Sequence, residues 1–492
     1  VFTILHLLSE TNWHLVIKLI SYFLVLLTFA GVVGTILLEN RNPIKAMAYI
    51  LLLVFLPLLG LIVYYYLGRD LRKRKRFTLK GSRDETLMLR YWENKRPQIE
   101  RMQVELRHLV ASKQEISSML LNTRNSLLTK HNRVKVLLNG EQKFPAVLDA
   151  LRKAQHHIHI EYYIFAVDSV GLAVLEVLIE RLQAGVEVRF IYDDMGCDHM
   201  SKIAKPLEQY GAEVYAFAPV LLDFYLNANY RNHRKIIVID GQVGFTGGIN
   251  MDERYINNGR NEVFWRDTHL QLEGDVINQL QLQFMMSYRY CSKKTFPFAY
   301  PYFQRASFED ECFVDIVSSG PDSPWPMAMQ TILMAINVAR RRIRISNPYF
   351  IPNEQLLTAL QMAAQAGKDV ELLIPKRGDS FFVQHAAQSF IKPMLDAGVK
   401  VYFYEKGFIH AKTMIIDDNL AIVGTVNLDN RSFYLNFEIA VILYDRSVVR
   451  DLDKAFENDL EDATLITRRS WRNRSLGEKF IDAVCRLLTP LL

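Results

Sequence analysis

Cysteine is scarce in this chain. Its 492 residues hold four, Cys197, Cys291, Cys312 and Cys485, and no two are close enough to form a CxxC pair. The spacing leaves four reduced, mostly buried thiols rather than a disulfide framework. A broad excess of positive charge is missing too. The net charge is +6, yet the eight residues "RDLRKRKR" from Arg69 to Arg76 alone carry six basic side chains against one Asp. The remainder is near neutral, which argues against a nucleic-acid surface. The first apolar run is too long for a signal peptide and has no small-residue cleavage site, which argues against a cleaved leader.

Apolar sequence, by contrast, is abundant. Half the residues are hydrophobic, and the length suggests two to four domains with a large core. Leu19 to Leu38 is twenty residues without a charge, and Ala46 to Leu67 is another 22. Each is long enough to cross a hydrocarbon layer of about 30 Å. The seven residues "ENRNPIK" between them read as a polar turn, so a two-helix transmembrane hairpin is expected. Pro57 is expected to kink the second helix, and Tyr64 to Tyr66 suit an interfacial aromatic belt. The basic run after the second span places both termini and the large C-terminal part in the cytoplasm, six charges outweighing Arg41 and Lys45 in the turn. The same run is suited to anionic headgroups. Residues from about Lys80 to Lys130 read as a polar helical connector.

The rest of the chain repeats itself. "NHRKIIVIDGQVGFTGGIN" (Asn232 to Asn250) contains His233, Lys235, Asp240, Gly247 and Asn250. "IHAKTMIIDDNLAIVGTVN" (Ile409 to Asn427) contains His410, Lys412, Asp417, Gly424 and Asn427 at the same spacing, 177 residues on. The likeness extends upstream: "HIHIEYYIF" matches "RIRISNPYF", and "YGAEVYAF" matches "AGVKVYFY". Each copy reads strand–helix–strand–helix–strand and then a motif strand, an α/β layer with a mixed sheet. Facing halves would bring the two motifs together.

On a strand, residues two apart share a face. His233 therefore points with Lys235, and His410 with Lys412. Two imidazoles, two ammonium groups and the amides of Asn250 and Asn427 suit a phosphodiester, whose oxygens need positive charge and donors in the transition state. One histidine can attack phosphorus while the other protonates the leaving alcohol and deprotonates the incoming one. The spacing does not rank the two histidines. A lysine beside each histidine would repel a metal cation, so no metal and no cofactor is expected. Asp267 and Glu438 follow their motifs at some distance. Either can hold an imidazole in one tautomer or form a salt bridge, with Arg266 adjacent. His156, His157 and His159 read as an ordinary strand, with His159 a possible cleft residue. Lys376 and Arg377 in "PKRGDS" sit where α/β sheets often bind ligands, and a solvated role fits them equally. The helix in "SLGEKFIDAVCRLLTPLL" has one apolar stripe, suited either to a bilayer surface or to packing on the body.

The paired HxKxxxxD motifs, each followed by a Gly-Gly or Gly-Thr in place of Gly-Ser and then x-Asn, resemble the phospholipase D superfamily. The N-terminal "NPIKAMAYILLLVFLPLLGLIVYYYLG", "NPYFIPN" and "GTVNLDNRSFYLNFE" extend the likeness to bacterial cardiolipin synthases over nearly the whole chain. The resemblance implies two phospholipase D-like α/β halves facing each other across one active site, behind a transmembrane hairpin in a bacterial inner membrane. The expected parts are a hairpin and basic segment over 1–76, a helical connector over 77–131, halves over 132–305 and 306–460, and an amphipathic segment over 461–492. The implied reaction transfers a phosphatidyl group between two phosphatidylglycerols through a phosphohistidine, giving cardiolipin and glycerol. Its partners are then phosphatidylglycerol and an anionic bilayer. By family analogy His233 is the nucleophile and His410 the general acid/base, Lys235, Lys412, Asn250 and Asn427 hold the phosphate, and Asp240 and Asp417 support the site. Arg431 and Ser432 fall in the matching stretch without an assigned role. A membrane-bound phospholipase D using water as acceptor is the alternative.

Overall fold

The computed structural model describes residues 13–38, 43–64, 83–110, 113–219, 230–259, 262–294, 297, 300–305, 311–487 and 489. The chain divides into two compact units, Val1–Arg76 and Phe77–Leu492. In the first unit, helix Trp13–Leu38 contains Ile17–Leu37, the one segment among the described residues long and apolar enough to span a membrane. The second apolar run forms two helices, Pro43–Phe55 and Pro57–Val63, where a single span is expected from the sequence. Pro57 lacks an N–H and pushes the residue before it out of the helical region; Leu56 accordingly sits at φ −136°, ψ 72°. Ile36, Leu53 and Tyr64 pack together, while Tyr22, Phe23, Leu26, Phe55 and Leu58 are exposed. The basic run Arg69–Arg76, with Tyr65 and Tyr66, lies outside the described residues.

The second unit is built on one continuous sheet. The first half supplies β1 (Thr129–Leu138), β2 (His157–Tyr162), β3 (Glu187–Asp193), β4 (Glu213–Phe217), β5 (Lys235–Ile239), β6 (Val243–Gly247), a short β7 (Phe264–Arg266) and β8 (Thr268–Gly274). The second half supplies β9 (Glu311–Ser319), β10 (Arg342–Ser346), β11 (Asp369–Pro375), β12 (Lys400–Tyr404), a short β13 (Gly407–Ile409), β14 (Thr413–Ile416), β15 (Leu420–Gly424), β16 (Glu438–Leu443) and β17 (Ala463–Ile466). The fifteen-strand order is β4-β3-β2-β5-β6-β8-β1-β9-β16-β15-β14-β10-β11-β12-β17. Read outward from the β1–β9 seam, the two arms match strand for strand until β17. The repeat seen in the sequence is thus an approximate two-fold through the seam.

Three cores follow from strand alternation. Ile237 and Ile239 on β5 join the first half's core, and Met414 and Ile416 on β14 join the second's. Ile236 and Val238 face the other way and meet Ile415, Val423 and Ile439 in a core shared by both halves. Each fully buried side chain of this size contributes about 1.5–3 kcal/mol, so the shared core fixes the halves against each other. Helices Arg83–Val110 and Gln114–Asn122 bury Trp92, Ile99, Leu106, Ile116 and Leu120 in the second half's core.

Candidate active site

The residues just before the two motif strands cross between halves. Asn232 forms a parallel bridge with Phe437, and β13 pairs in parallel with β7, Ile409 opposite Arg266. The His233 amide donates to the Phe437 carbonyl (2.9 Å), and the His410 amide to the Arg266 carbonyl (2.7 Å). The next residue along each partner segment is a carboxylate. His233 Nδ1 lies 2.9 Å from Glu438 Oε2, and His410 Nδ1 lies 2.7 Å from Asp267 Oδ2. Both carboxylates are fully buried. A carboxylate accepting from Nδ1–H fixes the tautomer and leaves Nε2 free for chemistry. Arg266 does not pair with the Asp267 side chain. Its Nε donates to Asp459 (2.7 Å) and its Nη1 to the Asp267 backbone carbonyl (2.7 Å).

The two carboxylates are held differently. Thr425 Oγ1 donates to Glu438 Oε2. The matching position is Gly248, where a Cβ would lie 2.1 Å from Asp267 Oδ1. The shorter Asp sits against bare backbone, whereas the longer Glu leaves room for a threonine hydroxyl.

Lys235 and Lys412 are buried on the same faces as their histidines. Lys235 Nζ donates to the His233 carbonyl (2.9 Å), and Lys412 Nζ lies 2.8 Å from His410 Nδ1. Burial, then the positive charge of Lys412, pulls Lys235 down to about 7. Burial brings Lys412 to about 8. Burial and then Lys412 lower His410 to about 3, and burial lowers His233 against the pull of Glu438. Burial alone would raise both carboxylates. Lys412 and His410 together outweigh it for Asp267, as do His233, Thr425 and Lys235 for Glu438, so both stay ionised. Near neutral pH the site therefore holds two neutral imidazoles, two carboxylates and two lysines close to their titration points.

Asn250 and Asn427 are buried, and the Oδ1 of each has no hydrogen-bond partner among the described residues. Asn250 Nδ2 donates to the Tyr255 hydroxyl (3.0 Å), which lies 3.1 Å from His410 Nδ1. Tyr255 thus ties the first motif's amide to the second motif's imidazole, and Ser432 stands at the matching place five residues after Asn427. Aromatic rings wall the site: Tyr163 against His233 (4.9 Å between centroids), Trp265 and Tyr349 against His410 (5.6 and 6.5 Å).

Asp240 and Asp417 stand at the far ends of β5 and β14, away from the imidazoles. The Asp240 carboxylate accepts from the amides of Gln155, His156 and His157 at 2.8–2.9 Å. Asp417 accepts from the backbone amides of Arg340, Arg341 and Arg342, and from Lys113 Nζ at 2.9 Å. Both have φ of 54°, which aims the carboxylate back at the entry of the neighbouring strand. His159 does not face the cleft; it is buried, stacked on Phe284 (4.5 Å) and bonded to Gln281. Lys376 pairs with Glu405 (3.0 Å), and Arg377 is exposed.

The profile described as "Cardiolipin synthase, PLD-like domain" matches residues 147–285 and 332–460, and "Phospholipase_D-nuclease N-terminal" matches 23–69. A cardiolipin synthase of Halalkalibacterium halodurans is 39% identical, over 96% of this chain and 94% of its own. Cardiolipin synthase 2 of Staphylococcus epidermidis is 37% identical over 99% of this chain and all of its own. In fold, the chain is similar to the crystal structure of phosphatidylserine synthase from Haemophilus influenzae, with a TM-score of 0.56 and 12% identity over 77% of this chain and 97% of that one.

Proposed function

The chain belongs to the cardiolipin synthase family of the phospholipase D superfamily, a family of phosphatidyltransferases, and we propose that it joins two phosphatidylglycerol molecules into cardiolipin through a phosphohistidine at His233. The observation that carries this reading is the convergence of two His–Lys pairs, each imidazole anchored by the other half's carboxylate. With Nδ1–H given to Glu438, neutral His233 presents Nε2 to phosphorus. The P–N bond forms as the P–O bond to glycerol breaks. His410 supplies the proton to the departing oxygen. The anionic phosphodiester offsets the two ammonium charges beside His410 and favours its protonated form. His410 then takes the proton of the second phosphatidylglycerol's hydroxyl, whose oxygen displaces His233. Lys235, Lys412, Asn250 and Asn427 hold the phosphoryl oxygens through both steps.

We also propose that the two helices of 43–63 return the chain across the bilayer. Their 21 residues span about 31 Å at helical rise, and the N-terminal family match covers most of the first apolar run and all of the second. The catalytic unit then lies on the cytoplasmic side of a bacterial inner membrane, with the Arg69–Arg76 run against acidic headgroups.

The test is the purified chain in mixed micelles with labelled phosphatidylglycerol and excess chelator. Cardiolipin and glycerol appearing in equal amounts is the expected result. Phosphatidate alone would make water the acceptor and the chain a phospholipase. Activity that vanishes in chelator and returns with metal would overturn the two-lysine argument.

A further inference from the structure

Helix Leu476–Arg486 is attached to the catalytic unit by its polar side. Asp482 and Cys485 are its buried residues. His385 Nδ1 donates to Asp482 (2.8 Å), and Arg474 also pairs with Asp482. Leu476, Phe480, Val484 and Leu487, four large apolar side chains, are 83%, 69%, 44% and 78% exposed. At 3.6 residues per turn these four fall within an arc of roughly 80°, nearly opposite Asp482 and Cys485. The apolar stripe therefore faces away from the body. Helix Phe381–Gln388 packs alongside and adds Phe381 and Phe382, both more than half exposed.

The surroundings say what covers this face. Between Thr467 and Leu487 there are six basic residues and two acidic ones. Of the two acids, Asp482 is buried in the pairs above and Glu478 closes the capping box with Ser475. Arg469, Arg472, Lys479 and Arg486 remain at the surface. An exposed apolar stripe flanked by cations complements acidic headgroups over acyl chains. The patch also adjoins the site. A cleft lined by Tyr349, Ile374, Val383, Ala387 and Phe403 runs from helix Phe381–Gln388 to Tyr349, whose ring lies beside His410. Asn430, three residues after Asn427, donates to the Thr489 carbonyl (3.3 Å) just beyond the helix.

We propose that Leu476, Phe480, Val484 and Leu487, with Phe381 and Phe382, form a docking patch that lies in the surface of a bilayer bearing acidic phospholipids and sets the second half's cleft against it. The choice of occupant rests on the phospholipid-substrate reading. The patch is a contact of the catalytic unit itself, additional to the apolar N-terminal segment.

The test uses the full chain carrying Phe480→Trp, reconstituted in vesicles of brominated phosphatidylcholine and phosphatidylglycerol. The emission added by the substitution should be quenched about twofold or more, and less so when phosphatidylglycerol is left out. A second variant, Leu476→Glu/Phe480→Glu/Leu487→Glu, should raise the apparent KM for vesicle-borne substrate on the order of tenfold while turnover of a short-chain monomeric substrate stays unchanged. Unquenched emission in acidic vesicles would overturn the proposal. So would an emission shift that depends on protein concentration in detergent, which would mean that a second copy covers the stripe. An equal loss on both substrates would make the helix a support of the fold and also overturn it. Quenching without conversion of any phospholipid would uphold docking while sinking the synthase reading, so the two failures are distinct.

Discussion

Glu438 Oε2 lies 2.9 Å from His233 Nδ1, although the two residues belong to different halves of the repeat. Asp267 returns the arrangement to His410. Neither half orients its own motif imidazole, so the approximate two-fold is a condition of the chemistry. Glu438→Gln and Asp267→Asn should each lower kcat by up to about 10⁴-fold, the loss for a buried carboxylate that fixes a catalytic histidine's tautomer. Gly248→Ala should resemble Asp267→Asn, because the added Cβ meets the Asp267 carboxylate. Rates within threefold of the parent for Glu438→Gln would show that the contact does not serve the reaction.

The two lysines link activity to pH. Lys235 titrates near 7 and Lys412 near 8, against 10.5 for a free lysine. Between those values the unfolded chain binds more protons than the folded one, so this contribution to stability rises with pH through that window and is least below pH 7. Phosphate binding runs the opposite way, since deprotonated lysines hold no anion. KM for the lipid should climb as pH rises from 7 to 9, while the thermal midpoint of the empty enzyme moves up. Lys235→Met should abolish turnover and raise stability by on the order of 1 kcal/mol or more, because it removes a buried cation. A destabilised Lys235→Met would contradict this account.

Much of this arrangement was open to reading from the chain. The doubled His-x-Lys spacing locates both faces of the site, and alternation over "HRKIIVID" correctly makes Lys235 share a side with His233. Which carboxylate serves which histidine is not legible, because Asp267 and Glu438 follow their own motifs in sequence and cross only through β7, β13 and the Asn232–Phe437 bridge. Tyr255 escapes notice because the second copy has Ser432 in its place. His159 illustrates the reverse error: strand position alone cannot distinguish the cleft from the layer under Phe284. Pro57 signals a kink, but not that the second apolar run would divide into helices too short to span singly.

The motif aspartates should prove structural. Asp240 and Asp417 bind strand-entry amides, and Asp417 also neutralises buried Lys113. Asp240→Asn should cost about 1–3 kcal/mol through weakened amide bonds. Asp417→Asn should cost more, about 3–5 kcal/mol, since it strands a buried ammonium. Lys113→Met/Asp417→Asn should recover part of that loss. Denaturant unfolding measures all three. In each variant the folded fraction should keep most of its kcat, and a large kcat loss at unchanged stability would move these carboxylates into the chemistry.

The division of labour between the histidines is the last test. The sequence motifs are equivalent, but their settings are not: His233 has Glu438 and Thr425 behind it, and His410 has Asp267, Tyr255 and a close Lys412. Lys412, next to Nδ1, disfavours a permanent imidazolium at His410, so its proton is held weakly and given up readily to a leaving oxygen. Both His233→Ala and His410→Ala should abolish turnover. Only His410→Ala should accumulate protein-bound label from phosphatidylglycerol labelled at phosphorus, because the P–N bond at His233 forms slowly and then lacks a base to activate the acceptor. Acid-labile, alkali-stable label on His410→Ala, mapped to the peptide containing His233, would be the phosphohistidine. Label trapped instead by His233→Ala would reverse the assignment, making the second motif the nucleophile and the first the acid/base.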